Sequence, residues 1–167
     1  NALGYAGRHF VLLEADDHAA LQEAVWALKP AAAVREAAAF NLPEEKRRAI
    51  EFALDHLAKH APQTQEPIPL APGAPFGLVK LDKAKCTLCL SCAGACPSRA
   101  LLDTPDMPRL KFIERNCVQC GLCVKTCPED ALSLEPRLLL GAEARQEKVL
   151  NEAEPFNCVR CGKAFAT

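Results

Sequence analysis

Hydrophobic and polar positions follow two different periods along this chain. The run His9-Phe10-Val11-Leu12-Leu13-Glu14 is short and continuous, which predicts a buried strand. Asp16 or Asp17 is placed to cap a helix from His18 to about Leu28, where Leu21, Ala24, Val25 and Leu28 recur at helical spacing. Pro30 ends it. Residues 31–40 are alanine-rich between Pro30 and Pro43, and their pattern leaves both a helix and an extended connector open. A second helix is expected from Pro43 to about His60. Its apolar stripe is Ile50, Ala53, Leu54, Leu57 and Ala61, and Asn41 with Glu44 is spaced as a capping box. Residues 61–75 hold five prolines and predict a stiff, extended linker. Beyond it the elements shorten. Leu78 to Asp82 predicts a strand, and Ala100 to Asp103 with Arg109 to Ile113 predicts a hairpin. Ala131 to Glu135 predicts a strand closing against the first, and a short helix is expected near Ser91 to Ala95. Residues 135–154 are polar, with a helical exit expected around Leu138 to Asn151.

The short-element region is built twice. Cys86, Cys89, Cys92, Cys96 and Pro97 form a C-x-x-C-x-x-C-x-x-x-C-P run, and Cys117, Cys120, Cys123, Cys127 and Pro128 repeat it at a constant shift of 31 residues. The flanks shift with it: Val79-Lys80-Leu81 falls on Leu110-Lys111-Phe112, and Pro97-Ser98-Arg99-Ala100-Leu101 on Pro128-Glu129-Asp130-Ala131-Leu132. The duplicated unit is a metal-ligand cassette. Neighbouring cysteines two residues apart are poor structural disulfide partners. Zinc sites favour pairs of C-x-x-C rather than triplets followed by C-P, and redox C-x-x-C chemistry does not need a triplet.

Residues from about Phe76 to Pro136 resemble the bacterial-type two-cluster ferredoxin, whose eight such cysteines hold two 4Fe–4S cubanes. The resemblance implies an α+β, ferredoxin-like domain with short strands, two short helices and a pseudo-two-fold axis. Carried over by motif position, it implies one cluster on Cys86, Cys89, Cys92 and Cys127, and the other on Cys117, Cys120, Cys123 and Cys96. That crossing couples cluster assembly to folding. One departure stands out: Gly121 follows the second cysteine of the second run, as is common in the family, but Leu90 occupies that place in the first.

The resulting organisation is a partial α/β or helical region at 1–60, a linker at 61–75, a two-cluster domain at 76–136 and a helical exit with a C-x-x-C at 137–167. The first region reads as a βα remnant of an α/β domain, although Gly4-Tyr5-Ala6-Gly7 does not supply a G-x-G-x-x-G nucleotide motif. His56 and His60, four apart near a helix end, suit the helix dipole better than a metal pair. Cys158-Val159-Arg160-Cys161-Gly162-Lys163 is a candidate zinc half-site needing two further ligands, with part of a third cluster and a turn that binds no metal as the alternatives.

Composition narrows the function. The formal charge of −1 argues against a nucleic-acid binder, and no apolar run is long enough to span a membrane. Residues 77–136 carry eight basic and seven acidic side chains, and each oxidised cubane would add about −2. That weak charge predicts a module built into a larger protein rather than a strongly acidic shuttle. Free thiols predict a reducing compartment such as the cytoplasm. The start at Asn1 reads as a fragment of a longer chain. The expected function is electron relay to an attached or docking redox partner, with no catalytic residue of its own. The alternatives are a subunit of an oxidoreductase, of formate dehydrogenase or flavin- or nucleotide-linked type, and a structural iron–sulfur domain.

Overall fold

The computed structural model describes residues 2–4, 11–30, 36–63, 67–105 and 107–166. The chain divides into two compact units, residues 1–65 and 66–167.

In the first unit, helix α1 (His18–Trp26) starts on Asp17, whose carboxylate accepts the Ala20 amide at 2.8 Å. Helix α2 (Lys46–Lys59) starts at Lys46 rather than Pro43, and no side chain caps it. The Asn41–Glu44 capping box does not form, because Leu42 precedes a proline and is biased away from helical backbone. The predicted strand also fails where it can be seen. Residues 11–15 are not in a strand, and Val11 and Leu12 are 59% and 84% exposed. Residues 9 and 10 of that run, and 31–35 of the undecided alanine-rich stretch, lie outside the described residues. Neither helix buries a residue.

The second unit carries the duplication into three dimensions. Each half is a strand, a cysteine loop, a short helix and a strand. The first half is β2 (Gly77–Leu81), α3 (Ser91–Gly94) and β3 (Leu101–Thr104); the second is β4 (Met107–Phe112), α4 (Leu122–Thr126) and β5 (Leu132–Leu138). The halves exchange strands. β2 pairs antiparallel with β5, with Val79 opposite Leu134 and Leu81 opposite Leu132. β3 pairs antiparallel with β4, with Leu101 opposite Phe112. The inward positions Val79, Leu101, Leu110, Phe112 and Leu132 form the core, and Cys92, Cys117 and Cys123 are buried in the same cluster.

Two elements correct the sequence reading. Within the proline-rich linker, β1 (Ile68–Pro69) pairs with the edge of β5, where a proline without an amide hydrogen is tolerated. The expected helical exit is not a helix. β5 runs on to Leu138, Gly141 turns with φ of 71°, and a single 3-10 turn (Glu143–Arg145) leads into β6 (Lys148–Glu152), the third strand of the β3–β4 sheet. The open edge of β4 offers pairing that overrides helical composition. Arg109–Glu152 and Lys111–Glu147 ion pairs line that edge. Strands β7 (Phe156–Asn157) and β8 (Ala164–Ala166) close a final hairpin.

Candidate metal centre

Each cysteine loop needs left-handed backbone to turn three thiols toward one space. The positive-φ residues repeat at the duplication shift: Leu88 and Gln119 (both φ 55°), Leu90 (φ 59°) and Gly121 (φ 79°), Arg99 (φ 52°) and Asp130 (φ 47°). A side chain in this region costs about 1–2 kcal/mol per residue, so five non-glycine examples mark a backbone held by what it encloses.

Two cavities result, of about 350 and about 310 Å³ including their mouths, near equal as a duplication demands. The first is lined by Cys86, Cys89, Cys92 and Cys127, with Leu81, Leu88, Leu90 and Leu132 around them. The second is lined by Cys96, Cys117, Cys120 and Cys123, with Val79, Leu101, Val118 and Leu134 around them. Each cavity thus takes three cysteines from one loop and one from the end of the other. All eight cysteines are free thiols. Among the described residues no three donors converge on one point as a single metal ion requires. Four sulfurs lining a space, with apolar walls, fit a multi-iron body.

Local bonding prepares the thiols. The Ala100 amide donates to Cys96 Sγ at 3.2 Å, and Ala131, its repeat partner, to Cys127 Sγ at 3.4 Å. Burial works against the Cys96 thiolate, but N–H groups of Leu101, Ala100 and Ser98 and the Ser98 hydroxyl outweigh it and hold the pKa below the ordinary thiol value. The Ser91 hydroxyl and amide, helped by Thr87, lower that of exposed Cys89. Burial pushes Cys92 up to about 11, with the Cys123 charge adding to it, and pushes Cys123 up to about 11, with Cys117 adding to it. Thiols buried in this way stay protonated unless a cation offsets the burial, so Cys92 and Cys123 would lose their protons on binding metal.

A buried ion pair braces the second loop. Arg137 of β5 makes two bonds to Glu114, at 2.7 and 2.8 Å, and Glu114 accepts the Cys117 amide through its carbonyl at 3.0 Å. Glu114 is 4% exposed. Sequence reasoning missed this pair because its members lie 23 residues apart on either side of the second cysteine run, and nothing in that motif links them.

Cys158 and Cys161 stand apart from both cavities in the β7–β8 hairpin. The turn is closed by Cys158 N–H to the Lys163 carbonyl at 2.9 Å and Gly162 N–H to the Cys158 carbonyl at 2.8 Å. Gly162 takes φ of 72°, but Arg160 is not left-handed as Leu88 and Gln119 are, and Ala164 stands where a third cassette cysteine would be. Amides of Arg160 and Cys161 hold the Cys158 pKa below the usual thiol range. His56 and His60 lie with ring centroids 4.5 Å apart and planes tilted by 44°.

Comparison with known proteins places the cassettes. A family model described as a 4Fe–4S dicluster domain matches residues 78–128, and a second with the same description matches residues 116–167. The chain is 33% identical over 79 residues to NADH-quinone oxidoreductase subunit I 2 of Geobacter metallireducens, covering 42% of this chain and 60% of the relative. It is 32% identical over 66 residues to the ferredoxin-type protein NapH of Escherichia coli, covering 38% and 23%. It is 34% identical over 56 residues to pyruvate synthase subunit PorD of Thermotoga maritima, covering 34% and 56%. The chain spans less than two thirds of the length of each of these relatives.

Proposed function

The chain carries a bacterial-type two-cluster ferredoxin domain, an electron-transfer module, and from that premise we propose that it relays single electrons inside a larger redox assembly. Cys86, Cys89, Cys92 and Cys127 hold one 4Fe–4S cluster, and Cys96, Cys117, Cys120 and Cys123 the other. The observation that carries this is the pair of separate cavities, each lined by one of these cysteine sets. A bound cluster supplies a one-electron couple. The chain's own residues do the rest. The thiolates anchor, the Ala100 and Ala131 amides donate to sulfur, and leucines supply apolar wall on the buried side of each cavity. Relatives named as subunits of quinone-reducing and pyruvate-converting enzymes support an assembly with a redox partner. Among the described residues no helix is long and apolar enough to cross a membrane. Ten free cysteines favour a reducing compartment such as the cytoplasm.

The test is iron and sulfide analysis with EPR on the full chain, reconstituted anaerobically and reduced with dithionite. About eight irons and a broadened signal from two interacting reduced clusters are expected. Eight irons that stay EPR-silent would make the clusters structural or too low in potential for dithionite, and zinc in place of iron would overturn the reading.

The β7–β8 hairpin supports a separate role for Cys158 and Cys161 as half of a tetrahedral zinc site. Its knuckle aims amides at sulfur but lacks the third cysteine and left-handed Arg160 of a cluster loop. The match of a dicluster model through residue 167 favours iron there instead. Replacing both cysteines by serine decides between them: unchanged iron with zinc lost supports the knuckle, and lost iron rejects it.

A further inference from the structure

The two cavities are equivalent in their cysteines but not in the groups that face the sulfurs. At the position before the second cysteine, the first repeat has Leu88 and the second has Gln119. Gln119 Nε2 lies 3.3 Å from Cys117 Sγ and 3.3 Å from the Leu78 carbonyl, and both accept from it. Its Oε1 has no partner and is buried, so the two acceptors at Nε2 fix which way the amide faces. Gly77 makes room for it, since a Cβ there would press on the amide and on the Glu135 carbonyl.

A second difference lies two residues after the last cysteine of each run. Ser98 Oγ sits 3.7 Å from Cys96 Sγ in the second cavity, while its repeat partner, Glu129, is an exposed acidic residue at the mouth of the first, where its charge acts through solvent. The Ala100 and Ala131 amides match and cancel in the comparison. Thr87 and Ser91 do favour the first cavity, at Cys89. That cysteine and both hydroxyl residues are exposed, so water competes for the same bonds.

Adding an electron adds negative charge at the sulfurs. Half-buried donors stabilise it, and a nearby carboxylate opposes it. On the relay reading above, we propose that the Cys96/Cys117/Cys120/Cys123 site has the higher potential, set by Gln119 and Ser98 against Leu88 and Glu129, so that electrons flow to it from the Cys86/Cys89/Cys92/Cys127 site. One electron leaves the first site, which is oxidised, and enters the second, which is reduced. A low-potential one-electron donor outside the domain refills the first. Gln119 and Ser98 act as positioning residues through the cysteines they contact.

The experiment is an EPR-monitored redox titration of the iron-loaded full chain. The wild type should reduce in two steps, with the upper site favoured at least tenfold, which is about 59 mV for one electron. Gln119→Leu, which copies Leu88, should lower the upper midpoint and leave the lower one in place. Glu129→Ser, which copies Ser98, should raise the lower midpoint, and the two changes together should bring the steps toward each other. A single wild-type midpoint, or a Gln119→Leu shift confined to the lower step, would overturn the proposal. If Gln119→Leu does not load iron, Ser98→Ala answers the same question by lowering the upper step, and no shift there counts against the proposal. Failure of the relay reading shows separately, as a wild type without iron or without any reducible signal.

Discussion

At the scale of single residues, the cluster loops trade backbone comfort for direction. Gly121 shows this most cleanly. Its φ is 79°, and an added Cβ would meet only Leu134 Cδ1 at 3.9 Å, so space is not the constraint. Gly121→Ala should therefore destabilise the loaded domain through backbone alone, by about 1 kcal/mol. Urea titration followed by loss of visible cluster absorbance checks the figure, and an unchanged midpoint would show that the turn tolerates alanine. Leu90 already carries the equivalent strain at φ 59° in the first loop, while its side chain lines the cavity. The sequence marks that difference as a missing glycine. What it does not mark is that Leu88, Gln119 and Arg99 are left-handed too, because none is a residue type that announces such a turn; only Asp130 is of a type enriched there. The spacing of the cysteines was legible at once; the conformations that serve the spacing were not.

At the scale of elements, the duplicated strands and short helices were readable because apolar alternation and the constant shift both point to them. β2, β3, β4 and β5 fall on the expected runs within a few residues. β6 was not readable. Residues 148–152 are mostly polar, and they become a strand only because the edge of β4 is open and carries Arg109 and Lys111 to pair with Glu152 and Glu147. The Arg137–Glu114 pair is similar in kind: it exists because β5 returns beside the turn that leads into Cys117. Its repeat-related positions in the first half are Lys83 and Asp106, which carry the opposite charges in swapped order. Arg137→Met should leave the Glu114 carboxylate buried without its partner and cost about 3 kcal/mol, the lower end for a broken buried pair since the Arg137 side chain keeps 18% of its surface in solvent. Denaturation of the loaded protein should show that loss. Replacing Glu114 by Leu as well should recover part of it, and a double variant as weak as the single one would mean the strands, not the charge, were damaged.

At the scale of the whole domain, the exchange of strands and the exchange of cysteines are one arrangement. β2 of the first half closes on β5 of the second, and β3 on β4, so each half carries its fourth cysteine to the neighbour's cavity. Cys127 follows the second triplet in sequence yet lines the cavity of the first. Cys127→Ser should consequently deplete the Cys86 site and spare the Cys117 site. About four of about eight irons should be lost, together with the lower-potential step of the titration. If ligation instead followed sequence order, the same variant would remove the upper step, the one that responds to Gln119→Leu. Cys96→Ser is the mirror experiment and should remove the upper step. The two variants also report on coupling, because Cys92, Cys117 and Cys123 share one buried core with Phe112 and Leu110. A half-loaded domain leaves buried thiols in that core without the cation that offsets their burial. Each single-site variant should therefore release its remaining irons faster than the wild type on dilution into chelator. Equal release rates would mean that the two halves fold and load independently despite their shared strands.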